Sequence, residues 1–144
     1  MIAVQSAPFD LGDYANRFAA AQNAAGAIVT FSGVVRGDGG LTALEIEHYP
    51  AMTLPAITDM VQNAKVRFGL LDAWVIHRFG RLAVGEVIMM VATSAPHRKD
   101  AFAGAEFLMD YLKSRAPFWK KEHRADGTAW VDAKASDEAA LGRW

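Results

Sequence analysis

Two pairs of apolar, β-branched runs alternate along this chain with three segments of helical spacing. The runs are Ala27–Arg36 with Leu41–Tyr49, joined by Gly37-Asp-Gly-Gly40, and Ala73–Gly80 with Glu86–Thr93, joined by Arg81–Gly85. A parallel connection needs a dozen or more residues, so each pair is predicted to close as an antiparallel hairpin, with Arg36 at the mouth of the first. The order helix, two strands, helix, two strands, helix, short strands predicts an α+β domain with a mainly antiparallel or mixed sheet and three principal helices.

The first helix is predicted to start at Asp10 or Asp13, either of which can cap it, and to run to about Asn23 on Leu11, Tyr14, Phe18 and Ala21. Met52 to Phe68 carries the second, with Leu54, Ile57, Val61, Ala64 and Phe68 as its core stripe, and Gly69 stops it. Ser94-Ala-Pro-His97 is predicted to open the third, with Ser94 as cap and Pro96 near the first position. Its stripe is Phe102, Ala105, Leu108, Met109 and Leu112. Trp130-Val131 reads as a short strand, and Ser136 to Trp144 as a tail or brief helix.

A length of 144 residues suits one domain spanning 1–144, with room for a real core. The formal charge of −1 argues against a chain that coats nucleic acid or an anionic membrane, so any basic site is local. With no cysteine, the chain has no disulfide, thiolate nucleophile or cysteine-held zinc or iron–sulfur site of its own. The first ten residues lack the basic start and long apolar core of a signal peptide, and no apolar run reaches a membrane span. A soluble cytoplasmic protein is expected.

Cations and large aromatics gather between Asp110 and Arg124, around Pro117. Lys113 and Arg115 fall in the third helix's last turn, where positive charge also suits the helix dipole. Pro117 ends that helix and biases Ala116 to extended geometry. In the strand that follows, Lys120 lies on the face opposite Trp119, so Lys113 and Lys120 can point into one pocket. At the helix's other end, His97-Arg98-Lys99 joins unpaired backbone N–H groups in a setting suited to phosphate or carboxylate. His48 and His77, in apolar strands, read as structural histidines, since no partner stands at metal-ligand spacing. Gly37 to Gly40 lacks the Lys-Ser/Thr of a phosphate loop and reads as a turn.

Fifteen positions separate Arg98 from Lys113, about 22 Å along a continuous helix. One copy of the chain does not bring both to one small substrate. If both serve one site, His97 and Arg98 arrive from a second subunit across a symmetric dimer.

Five segments, in order over nearly the whole chain, resemble the large, catalytic subunit of molybdopterin synthase. They are Gly26–Arg36, Leu44–Met52, Ile76–Gly80, Thr93–Arg98 and Phe107–Glu122. The resemblance implies an α/β-hammerhead-type α+β fold and a homodimer of large subunits within a heterotetramer. Each large subunit would hold one small ubiquitin-like sulfur-carrier subunit, whose thiocarboxylated Gly-Gly tail threads toward Lys113. The substrate would be cyclic pyranopterin monophosphate (precursor Z), converted to the dithiolene of molybdopterin with no bound cofactor and no metal. Lys113 and Lys120 would be catalytic. Arg36, His97, Arg98 and Lys134 would bind substrate, and Met109 would line the tail channel. At Lys134 the family often carries arginine, and lysine keeps the charge without the bidentate fork. A noncatalytic module that docks a ubiquitin-like tail or a phosphorylated ligand is the alternative, and it predicts binding without conversion.

Overall fold

Residues 1–144 are described by a computed structural model. Two four-stranded sheets make up its β-structure. In the first, β1 (Ile2–Gln5), β4 (Asp72–Arg78), β6 (Val87–Ala95) and β2 (Ala27–Val34) lie in the order β1-β4-β6-β2. β1 runs parallel to β4, and the other pairs are antiparallel. In the second, β5 (Gly80–Ala83), β3 (Leu41–His48), β7 (Phe118–Arg124) and β8 (Gly127–Trp130) lie in the order β5-β3-β7-β8, antiparallel throughout. The α+β class with three principal helices is as the sequence predicts: α1 (Leu11–Ala20), α2 (Pro50–Phe68) and α3 (Arg98–Ser114), joined by a short α4 (Ala135–Ala140) and a 3₁₀ turn at Leu141–Arg143.

Local chemistry sets the helix ends. Asp10 caps α1 by accepting the Asp13 N–H at 2.8 Å. Pro50 begins α2, where its missing N–H costs nothing, and Gly69 ends it at φ 60°. α3 begins at Arg98 behind His97, so Ser94 is not its cap. Ser94 is fully buried in β6, where its hydroxyl accepts from the Asp72 N–H at 3.0 Å and donates to Gln22 Oε1 at 2.6 Å. β6 is paired on both sides almost to its end, through Asp72↔Ser94 and Ala27↔Ala95, and this pairing carries the strand past the predicted helix start.

The largest correction concerns the hairpins. β2 and β3 are not paired at all. Val35 exchanges backbone hydrogen bonds with Gly85 and Glu86, and the chain then crosses to the second sheet through Gly39 and Gly40, both at positive φ. β6 offers β2 eight paired positions, and β3 pairs instead with β5 and β7 in the other sheet. A turn signal fixes that the chain reverses, not which strand it then joins. β4 and β6 do pair antiparallel, but their link contains β5, which binds β3 in the other sheet.

The main core lies where α2 and α3 cover the first sheet, with Ile57, Val61, Ala64, Val75, Val91, Leu108 and Leu112 among its buried members. Two stripe residues face outward instead. Leu54 is 46% and Phe102 62% exposed, while Thr53, Met60, Ala101 and Phe107 are buried. Val35, Ile46 and Leu82 make a second, smaller core between the sheets. No helix is long and apolar enough to cross a membrane.

Candidate functional site

The C-terminal end of α3 and the start of β7 form one corner. After Lys113, the helix closes through the Arg115 N–H donating to Tyr111 O at 2.7 Å, and Pro117 turns the chain into β7. Side chains alternate along that strand, so Trp119 is 52% exposed on one face while Phe118 and Lys120 point to the other. Lys120 stands opposite Ile46, which is 1% exposed, so its stem enters apolar packing. Burial lowers the Lys120 pKa first, and the charge of Lys113 lowers it further; Asp137 opposes the shift and Lys134 adds to it.

Lys113, Lys120 and Lys134 therefore share one electrostatic neighbourhood, with Asp137 as its acidic member. Lys134 precedes α4, and Asp137 is pinned to α3 by the Ser114 hydroxyl, which donates to Asp137 O at 2.9 Å. Met109 lies half-buried one turn before Lys113.

Ion pairing separates the cations of this region. Arg115 is held by Glu138 at 2.8 Å, Lys121 lies within 4.0 Å of Glu45, and Arg124 pairs with Glu122 at 2.7 Å. Lys113, Lys120 and Lys134 have no carboxylate within ion-pair distance, nor do His97, Arg98 and Lys99 at the other end of α3. A cluster of like charges in partly desolvated surroundings is unfavourable unless an anion completes it. Two groups of cations without carboxylate partners thus lie at opposite ends of one continuous seventeen-residue helix. Arg36 belongs to neither by its contacts. It lies on the crossing between the sheets, 79% exposed, with Nε 2.9 Å from Asp38.

His77 is the satisfied structural histidine that the sequence predicts, and it also adjoins Lys120. It is 5% exposed, its Nδ1–H donates to Arg78 O at 2.8 Å, and its ring stacks on Phe118 at 3.9 Å and 15°. Burial brings its pKa down to about 4, helped by the charge of Lys120. A neutral imidazole therefore backs the lysine corner. His48 is held by Thr53 at 3.2 Å. Asp137 was missed, since only its spacing from Lys134, one turn along a six-residue helix, marks it in the sequence. A surface cavity of about 280 Å³ lined by Asn63, Val66, Arg67, Phe107 and Tyr111 contains none of the expected site residues.

Comparison with known proteins gives a consistent picture. The sequence family described as MoaE protein matches residues 4–115. The molybdopterin synthase catalytic subunit of Cereibacter sphaeroides is 61% identical over 144 residues, 99% of this chain and 99% of that one. Among solved structures, the molybdopterin biosynthesis MoaE protein from Burkholderia ambifaria superposes with a TM-score of 0.86 at 46% identity, covering 100% of this chain and 97% of that one. Molybdopterin synthase from Staphylococcus aureus gives a TM-score of 0.82 at 28% identity, covering 90% and 96%.

Proposed function

The chain belongs to the MoaE protein family, and from that premise we propose how its lysine corner works. It acts as the catalytic subunit of molybdopterin synthase, a sulfurtransferase of molybdenum cofactor biosynthesis. A small ubiquitin-like carrier presents its C-terminal thiocarboxylate, and sulfur passes to cyclic pyranopterin monophosphate to build the dithiolene. The residues 1–144 serve as one domain in this role, in the cytoplasm.

The observation that carries the reading is the set of cations left without carboxylates: Lys113, Lys120 and Lys134 in one corner. A thiocarboxylate is itself the nucleophile, so the protein needs no cysteine and supplies orientation, charge neutralisation and proton transfer. Lys113, exposed at the helix end, meets the incoming anion. Lys120, whose pKa burial and Lys113 lower, is the better proton carrier of the two. Lys134 holds phosphate, and Met109 lines the channel for the carrier tail.

His97 and Arg98 complete the site from a second large subunit, because about 22 Å of helix separates Arg98 from Lys113 within one copy. The unpaired edge strand β2 supports such an assembly. It exposes Ile28, Phe31 and Val34 at 39%, 40% and 49%, and Phe102 of the adjoining α3 is 62% exposed. Arg36, which follows β2 directly, would exchange Asp38 for substrate phosphate in that assembly. The noncatalytic docking alternative is not favoured, since relatives 61% and 51% identical over nearly the whole chain are named as catalytic subunits.

The test is one incubation of the purified protein with cyclic pyranopterin monophosphate and thiocarboxylated carrier, followed by mass spectrometry for the dithiolene. Product from the wild type and little from Lys113→Ala is expected. Carrier binding without product, when a known synthase converts the same reagents, would overturn the reading.

A further inference from the structure

Residues 131–144 cross the lysine corner with almost no core of their own. α4 and the following 3₁₀ turn contain no buried residue, and six residues do not make a stable helix unaided. What places this segment is a set of polar contacts. At its start, the Val131 N–H donates to Lys120 O at 2.7 Å. At its middle, Ser114 bonds Asp137 O, and Arg115 bonds both oxygens of Glu138 at 2.8 and 3.0 Å.

The far end is fastened most strongly. The Asp110 carboxylate, 12% exposed, accepts three hydrogen bonds: two from the Arg143 guanidinium, at 3.0 and 3.1 Å, and one from the Trp144 indole N–H at 2.7 Å. Arg143 reaches Glu106 as well, at 2.7 Å, and the Trp144 carbonyl accepts from Arg67. The Trp144 ring sits edge-on to Phe68 and Phe107, each at 5.5 Å. A bidentate pair whose carboxylate is largely buried beside an aromatic anchor, although Arg143 itself is half exposed, holds geometry better than a lone surface pair.

Asp110 lies one turn before Lys113 on α3, so the clasp and the lysine corner share one rigid element. We propose that Asp110, Arg143 and Trp144 form a positioning clasp for the sulfur-transfer site, holding the segment that carries Lys134 and Asp137 against Lys113 and Lys120. None of the three touches the reacting atoms. They act by ordering Lys134 before substrate arrives, so that its phosphate contact costs little entropy on binding. The inference rests on the reading given under Proposed function.

The experiment compares wild type with Arg143→Ala, Trp144→Ala and Trp144→Phe, the last keeping the ring and losing only the N–H. Hydrogen exchange over residues 131–140 reads the clasp directly, and steady-state kinetics with cyclic pyranopterin monophosphate reads its effect. The alanine variants should exchange faster over 131–140 and raise KM for the pterin about fivefold or more, with kcat and carrier affinity changing less; Trp144→Phe should fall between. Exchange as slow as in wild type would overturn the clasp. Faster exchange with KM unchanged within about twofold would overturn its positioning role. Failure of wild type to turn over competent substrates would sink the sulfur-transfer reading instead, and the exchange data would still judge the clasp.

Discussion

Lys120 and Lys113 repel one another, and burial together with that repulsion lowers the Lys120 pKa. In the mechanism we propose, the pair divides the labour of one site: an exposed charge to meet an anion, and a desolvated amine able to exchange a proton. Removing the repulsion should move the buried partner. In Lys113→Met, the Lys120 titration followed by ¹³Cε or ¹⁵Nζ NMR should shift to higher pH, because the loss of a like charge favours the ammonium form. An unchanged titration would mean that Lys113 has no part in setting the Lys120 pKa.

Turnover should be most sensitive at Lys113. Lys113→Ala is expected to lower kcat about 100-fold, the size of effect seen when one charge-stabilising group leaves a reacting centre. Carrier affinity, measured separately by calorimetry, should change far less than kcat.

Mixing tests the shared site. Lys113→Ala and Arg98→Ala homodimers should each be weak, while heterodimers formed by co-refolding should recover about one site in two per dimer. The absence of any regained activity in verified heterodimers would confine each site to one copy.

His77 supplies a pH signature of stability. Its folded pKa of about 4 lies below its ordinary 6.5 through burial, Lys120 and His48, against the opposing Arg78 carbonyl bond. Between these values the unfolded chain takes up a proton that the folded chain refuses, so stability falls as pH drops from about 6.5 toward 4, by at most about 3 kcal/mol. His77→Phe keeps the stack on Phe118 and should flatten that slope in urea titrations across the window. An equal slope in the variant would assign the acid sensitivity elsewhere.

Gly26 packs against the backbone of Pro96, the residue before His97. A Cβ there would stand 2.2 Å from the Pro96 carbonyl oxygen, a backbone atom that cannot swing aside. Gly26→Ala should cost about 2 kcal/mol in chemical denaturation and weaken pterin binding by displacing the residues that follow Pro96.

The meeting of Lys113 and Lys120 was legible in the sequence because its geometry is local, whereas Lys134 entered only through the family resemblance. Pro117 marks the helix end, and strand alternation puts Lys120 opposite Trp119. What depended on distant partners was not legible. β1 escaped notice because four residues pair in parallel with a strand seventy positions away, leaving no nearby pattern. The supposed β2–β3 hairpin failed for the same reason. Leu54 and Phe102 were placed inside by spacing alone, yet an apolar spacing fits two neighbouring helix faces, and Thr53 and Ala101 won because the sheet lies beneath them. The short α4 shows its importance only through Ser114 and Arg115, which bring Asp137 to the corner.

The crossing at Arg36 has its counterpart in every later link between strands up to β7. The chain passes from the first sheet to the second at 35–40, back before β4, across again to β5, back to β6, and over once more to β7. No contiguous stretch holds one sheet without strands of the other, so a polypeptide cut between β2 and β7 separates strands that pair in the intact fold. The threading thereby ties the two sheets together: each closes only when strands from both sides of every crossing are in place, which favours cooperative folding of the domain.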